Sequence, residues 1–168
     1  MNKSLIITTP IVFLLLVLVL FLYFRQNNYF KKEEPPIGIE QINKIIIREK
    51  EKPETVLEKK ENQWLVASQD NTLADEDKIS QLLEALKPIS QLALVSENPE
   101  KFSQFGIDDN APRLIINFNG KEKEIIVGNL SYSRNGNFIK IEGENKIWLI
   151  ASYLRTRLEN IDWKKEIN

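Results

Sequence analysis

Residues 113–127 read RLIINFNGKEKEIIV, and this stretch decides the fold class. Leu114, Ile116 and Phe118 recur at every second position, the side-chain period of a strand with one buried face. Asn119-Gly120 follows, and a second run opens over residues 121–127. Asn-Gly between two such runs is the strongest short-range hairpin signal, because both turn residues tolerate positive φ. An antiparallel pair is expected here.

Working downstream, a second hairpin is expected around Gly143-Glu144-Asn145, joining residues 137–142 with residues 146–150. Ser152 then reads as the cap of a closing helix that turns Leu154, Leu158 and Ile161 inward, with Trp163 packing its end. Upstream, three short runs at 42–48, 55–59 and 63–67, joined around Lys52-Pro53 and by a tight turn at Glu61-Asn62, read as another antiparallel meander. Between the meanders lies the clearest helix, residues 75–86. Ile79, Leu82, Leu83 and Leu86 fall on one stripe at i, i+3, i+4 and i+7, Asp75 and Asp77 suit its positive N-terminal end, and Pro88 closes it. A short apolar strand at 92–96 comes next. Asn98-Pro99 then reads as a cap followed by a first-turn proline, opening a one-turn helix over 99–104 that ends at Gly106. The fold class is α+β, antiparallel β-meanders with two main helices. Residues 64–68 (WLVAS) and 148–152 (WLIAS) echo one another, each after a meander and before a helix, which raises a weak internal duplication.

Composition narrows the chemistry. The chain of 168 residues has neither cysteine nor histidine, so disulfides, thiolate metal sites, lipidated cysteines and the commonest acid–base group near neutral pH are all missing. Lys and Arg number 23 against 24 Asp and Glu, with the signs interspersed, so no basic footprint for nucleic acid exists.

The first residues are of another kind. Residues 5–24, LIITTPIVFLLLVLVLFLYF, run for twenty positions without a charge, the length an α-helix needs to cross a bilayer. The run leaves through Phe24-Arg25 with no small-residue cleavage site, which reads as an uncleaved signal anchor. The expected organisation is a tail at 1–4, a transmembrane anchor at 5–24, a linker at 25–40 containing Pro35-Pro36, and a domain at 41–168. Charges flanking the anchor, Lys3 before it and Arg25, Lys31 and Lys32 after it, leave its orientation open.

No motif carries catalysis. Asp75, Glu76 and Asp77 lack the glycine turn and distal glutamate of a calcium loop. Asp108-Asp109 offers carboxylates with no partner at a defined spacing, and the six glycines make neither a dinucleotide fingerprint nor a phosphate loop. Tyr132, Phe138 and Trp148 are candidates for an exposed aromatic platform for a glycan or a partner, and Asn129-Leu130-Ser131 fits a glycosylation acceptor. Catalytic, cofactor and metal residues are assigned to none.

One resemblance joins these pieces. Trp64, Ala74-Asp75 opening a leucine-rich helix, Phe105-Gly106-Ile107-Asp108 with Pro112 after it, Ile126-Val127-Gly128, Phe138-Ile139-Lys140, residues 147–150 (IWLI) and Asp162-Trp163-Lys164 follow one another in an order that resembles the bacterial family called domain of unknown function 4340 (DUF4340) over residues 42–166. The resemblance implies one N-terminal anchor, an extracytoplasmic α+β domain and an association with ABC-type or gliding-motility transporters. It supplies no catalytic residues. The expected role is therefore a membrane-anchored binding or accessory domain with a membrane-protein or envelope partner. Its contact surfaces are expected at the sheet edges and at the loops after Gly106 and over 131–136. A tethered envelope enzyme using Asp/Glu chemistry and a cytoplasmic-side scaffold are the alternatives.

Overall fold

A computed structural model describes Val19, residues 38–133 and residues 135–166. Residues 1–36 and 37–168 form separate units. The expected tail, the anchor apart from Val19, and the linker up to residue 37 lie outside the described residues. Among the described residues no helix is long and apolar enough to cross a membrane.

The second unit is built on one antiparallel sheet. In chain order its strands are β1 (Ile42–Arg48), β2 (Thr55–Lys60), β3 (Gln63–Val66), β4 (Thr72–Leu73), β5 (Ala93–Ser96), β6 (Arg113–Phe118), β7 (Lys121–Leu130), β8 (Asn137–Ile141) and β9 (Ile147–Ile150). In space they run β4-β3-β2-β1-β6-β7-β8-β9-β5. The two meanders expected from the sequence are thus fused side by side through β1 and β6, which pair from Ile42 with Phe118 to Arg48 with Arg113. The hairpin of residues 113–127 forms as expected, with Asn119 at φ 51° and Gly120 at φ 71° and Phe118 opposite Lys121. Its second strand runs three residues further than expected, to Leu130.

Pleating divides the core into two faces. Ile45 and Ile47 of β1, Leu57 of β2, Leu114 and Ile116 of β6, Ile125 and Val127 of β7, Ile139 of β8 and Ile150 of β9 share the larger core. The α-helix α1 (Glu76–Leu86) lends that core Ile79, Leu82 and Leu86, with Leu83 half-buried beside them. On the other face Ile107, Ala111, Ile126, Phe138 and Ile147 form a smaller core. The segment covering it begins with the 3₁₀ helix Pro99–Phe105. Asn98 caps that helix by accepting from Glu100 N (3.0 Å), and Gly106 ends it in the left-handed region.

Asp75 accepts from the backbone N–H groups of Asp77 and Lys78 and so caps α1. It also pairs with Lys78 Nζ at 3.0 Å, and the hydrogen bond from Lys78 holds its carboxyl below the usual carboxylate value. A carboxyl whose folded-state pKa is depressed contributes stability above its unfolded value near 4, and that contribution disappears as pH falls through the folded value. Asp75→Asn keeps a cap acceptor but has no charge. We expect its thermal midpoint to fall less steeply between pH 5 and 3 than that of the parent chain, as differential scanning calorimetry would read.

The end of the chain differs from expectation. Among the described residues no α-helix follows Ser152; a 3₁₀ turn, Arg155–Arg157, forms instead, and Asn160 adopts φ 58°. The backbone N–H that a Ser152 cap would satisfy is taken elsewhere: Arg155 N donates to the buried Asn137 Oδ1 at 3.1 Å. Reach supplies the physical reason. The segment starts beside β9 and finishes at β4, where Trp163 O accepts from Asp75 N (2.8 Å) and Lys165 N donates to Leu73 O (3.0 Å). Those strands stand seven places apart in the sheet, roughly 30 Å at ordinary strand spacing, whereas a ten-residue helix advances only about 15 Å. An open strap spans the distance while Leu154, Leu158 and Trp163 still reach the core. The second helix of the fold is therefore the 3₁₀ segment Pro99–Phe105. The two WL-containing motifs also fall in unlike places: Trp64 is on the third strand out from the β1–β6 junction, Trp148 on the fourth.

Candidate functional site

The chain enters the sheet at the start of β1, beside the Asn119-Gly120 turn, where Asn119 Nδ2 donates to Gln41 Oε1 (2.7 Å). The other end of β7 lies about nine residue steps away, roughly 30 Å. At that far end β7 and β8 change register: Val127 faces Ile139, then Leu130 faces Asn137, so Gly128 and Asn129 together oppose Phe138. Such a bulge turns the strand and re-aims its side chains. Gly128 is needed because a Cβ there would lie 2.2 Å from the Phe105 carbonyl oxygen and 2.8 Å from Ile107 Cδ1. The covering segment can therefore sit directly on β7.

This approach brings aromatic rings together. Phe105 packs edge-on to Phe138 with centroids 4.8 Å apart, and Tyr132 packs on the same Phe138 at 5.9 Å. Phe138 is buried, but Tyr132 is 84% exposed. Leu130 and Tyr153, 41% and 52% exposed, border the same loop, because Ser131 N donates to Gly136 O (2.8 Å) and Asn137 N donates to Ser152 O (3.1 Å).

A polar frame stiffens this end. Asn137 is buried and satisfied: Nδ2 donates to Gly128 O (3.3 Å) and Oδ1 accepts from Arg155 N. Arg155 Nη1 donates to Asn129 Oδ1 (3.1 Å) and its Nε to Glu159 Oε1 (2.7 Å). Asn135 Oδ1 accepts from both Ser131 Oγ (2.8 Å) and Ser133 Oγ (2.7 Å). An exposed aromatic centre with a hydrogen-bonded polar rim is the anatomy of a recognition surface.

The contact surfaces expected from the sequence separate clearly. Phe105, just before Gly106, and Tyr132, in the loop over 131–136, both pack on Phe138. Of the sheet edges, β4 is closed by the strap through the Ala74–Lys164 bridge, whereas β5 is bulged against β9 and exposes Leu94 and Val95. Trp148 is half-buried, with its indole N–H donating to Glu144 Oε2 (2.9 Å). Asn129, the glycosylation candidate, gives its side-chain carbonyl to Arg155. Asp75, Glu76 and Asp77 serve the start of α1, and Asp108 accepts from Asn110 N (2.8 Å) in its own loop. Glu124 pairs with Arg113 (2.8 Å) and Glu142 with Lys140 (3.0 Å). The Lys140 hydrogen bond lowers the Glu142 pKa, the direction opposite to that of a general acid. Among the described residues no group of three or more acidic side chains gathers as a metal site. Tyr153 and Leu130 carry no sequence signal of their own, since only the register shift and the Asn137–Ser152 bond bring their segments toward the 131–136 loop.

The family model described as domain of unknown function (DUF4340) matches residues 64–166, well over half of the chain. The chain belongs to the DUF4340 family. No curated protein and no solved structure matches it. In this DUF4340 domain the residues that carry the resemblance have structural work: Trp64 and Trp163 fill the larger core, Gly106 takes φ 70°, and Gly128 admits the Phe105 backbone. Tyr132 and Tyr153 are not among them. Membership in DUF4340 therefore speaks to the fold and leaves the exposed surface to be read from its own chemistry.

Proposed function

We propose that this DUF4340 chain is a non-catalytic binding module, anchored in a membrane by residues 5–24 with its domain on the extracytoplasmic side. It engages an envelope partner through the Tyr132 end of the sheet, as an accessory to an ABC-type transport complex. The observation that carries the reading is the braced exposure of Tyr132, a large ring 84% open to solvent yet packed on Phe138. Tyrosine supplies broad contact area at low entropic cost and is enriched in recognition surfaces. Tethering adds to this by raising the effective concentration of the module toward neighbours in the same membrane.

Parallel C-terminal fusions to alkaline phosphatase and to a fluorescent protein that stays dark when exported test the reading. Active phosphatase with a dark fluorescent fusion, both in the membrane fraction, is the expected result. Fluorescence without phosphatase activity would replace it with a cytoplasmic-side scaffold.

A further inference from the structure

We infer that the outer edge of β5 pairs antiparallel with β5 of a second copy of this chain, joining two sheets about a two-fold axis. This goes beyond the binding-module reading and uses none of the residues at the Tyr132 end. β5 (Ala93–Ser96) ends the nine-stranded order and pairs with β9 on one side. The backbone N–H and C=O groups of its other side therefore have no strand partner among the described residues, and such a row is a template for one more strand. The opposite edge, β4, is closed by the bridge between Ala74 and Lys164.

Natural sheet edges are guarded by charges, by proline or by bulges. Residues 91–96, QLALVS, hold neither a charge nor a proline. The guard that exists is the register shift between Leu94 and Ser96, at the C-terminal end of the strand. Side chains then say what an added strand must bring. Leu94 stands opposite Trp148, and Trp148 stands opposite Ile139, so the three share the face of the larger core. Exposure rises along this row from 0% at Ile139, through half-burial at Trp148, to 51% at Leu94. The core runs out at β5 with a large apolar side chain uncovered, and a strand with an aliphatic residue at the next place would continue the row.

β5 itself meets that demand. In an antiparallel pair centred on Leu94, the two copies of Leu94 face one another, each Leu92 faces a Ser96, and no charge meets a like charge along the paired stretch. The flanks select the direction. Lys87 precedes the strand and Glu97 follows it, both exposed. Antiparallel pairing sets the basic end of each copy beside the acidic end of its mate, whereas parallel pairing brings like ends together. A two-fold contact of this kind uses the same patch on both copies.

Because the chain has no cysteine, one introduced cysteine per chain can be bridged only to another molecule. The full chain carrying Leu94→Cys is treated in intact cells with a short, membrane-permeable bis-maleimide, and the adducts are separated by mass. An adduct of twice the chain's mass is expected, at least about fivefold stronger than from Lys60→Cys on β2, which lies six strand places from β5, roughly 30 Å. Adding Val95→Lys or Ala93→Lys to the Leu94→Cys chain sets like charges at the contact and is expected to cut that adduct at least about fivefold. All three positions are exposed, so an unchanged thermal midpoint will show that the variants are folded. No adduct of that mass, equal adducts from positions 94 and 60, or an adduct that neither lysine weakens overturns the inference. Adducts from position 94 with a different protein alone would also overturn it, since the edge would then take a foreign strand.

Discussion

A fragment that begins at Trp64, the first residue matched by the family model, is expected not to fold, whereas one that begins at residue 38 is expected to fold. The reason is the place of β1 in the sheet. It lies between β2 and β6, so its removal with β2 leaves β3 and β4 with no strand linking them to β6. Four buried core side chains go with it, Ile42, Ile45, Ile47 and Leu57. At about 1.5–3 kcal/mol each, their burial is of the order of 10 kcal/mol, comparable with the whole stability of a typical domain. Far-UV circular dichroism through a urea titration will show it. A cooperative transition is expected from 38–168 and none from 64–168, and a cooperative transition from the shorter fragment would refute the keystone role of β1.

The second large effect is expected at Gly128. In Gly128→Val the new Cβ falls where the Phe105 carbonyl oxygen now sits, 2.2 Å away, and 3.2 Å from the Phe138 carbonyl oxygen. Both obstacles are backbone, so relief requires the 3₁₀ segment to lift from β7. We expect a loss of about 3 kcal/mol, the upper end of the overpacking range, together with broadened signals from Phe105 and Tyr132. Gly120→Ala is the control. A Cβ there meets nothing within 4 Å, and only the left-handed backbone, φ 71°, resists it, at about 1 kcal/mol. Equal losses in urea unfolding for the two variants would mean that the Phe105 backbone yields more readily than its packing implies.

These two glycines also mark where the fold is legible in the sequence and where it is not. Asn119-Gly120 announces itself, because the turn, its φ values and both flanking periodicities are local. The stripe on α1, the Asp75 cap and the Asn98 cap are local in the same way. The closing segment reads as a helix because Leu154, Leu158 and Ile161 have helical spacing, and the competing demand, a reach across seven strand places, depends on the order of strands in the sheet. β4 leaves no trace because two residues carry no periodicity. At the candidate site, the turns at Gly106 and over 131–136 declare themselves through their turn residues. The packing of Phe105 and Tyr132 on Phe138, and the approach of the segments of Leu130 and Tyr153, follow from the bulge at Gly128-Asn129 and the bonds of Asn137. Those are pairings between distant parts of the chain, which spacing along one segment does not encode.

The most direct measurement of whether the Tyr132 end is the working surface is photo-crosslinking in native membranes, with a benzophenone amino acid placed at Tyr132 and, as a control, at Lys60 near the end where the chain enters. Discrete adducts from position 132 and none from position 60 are expected. No adduct from position 132, or the same adducts from both positions, would contradict a binding surface at that end of the sheet.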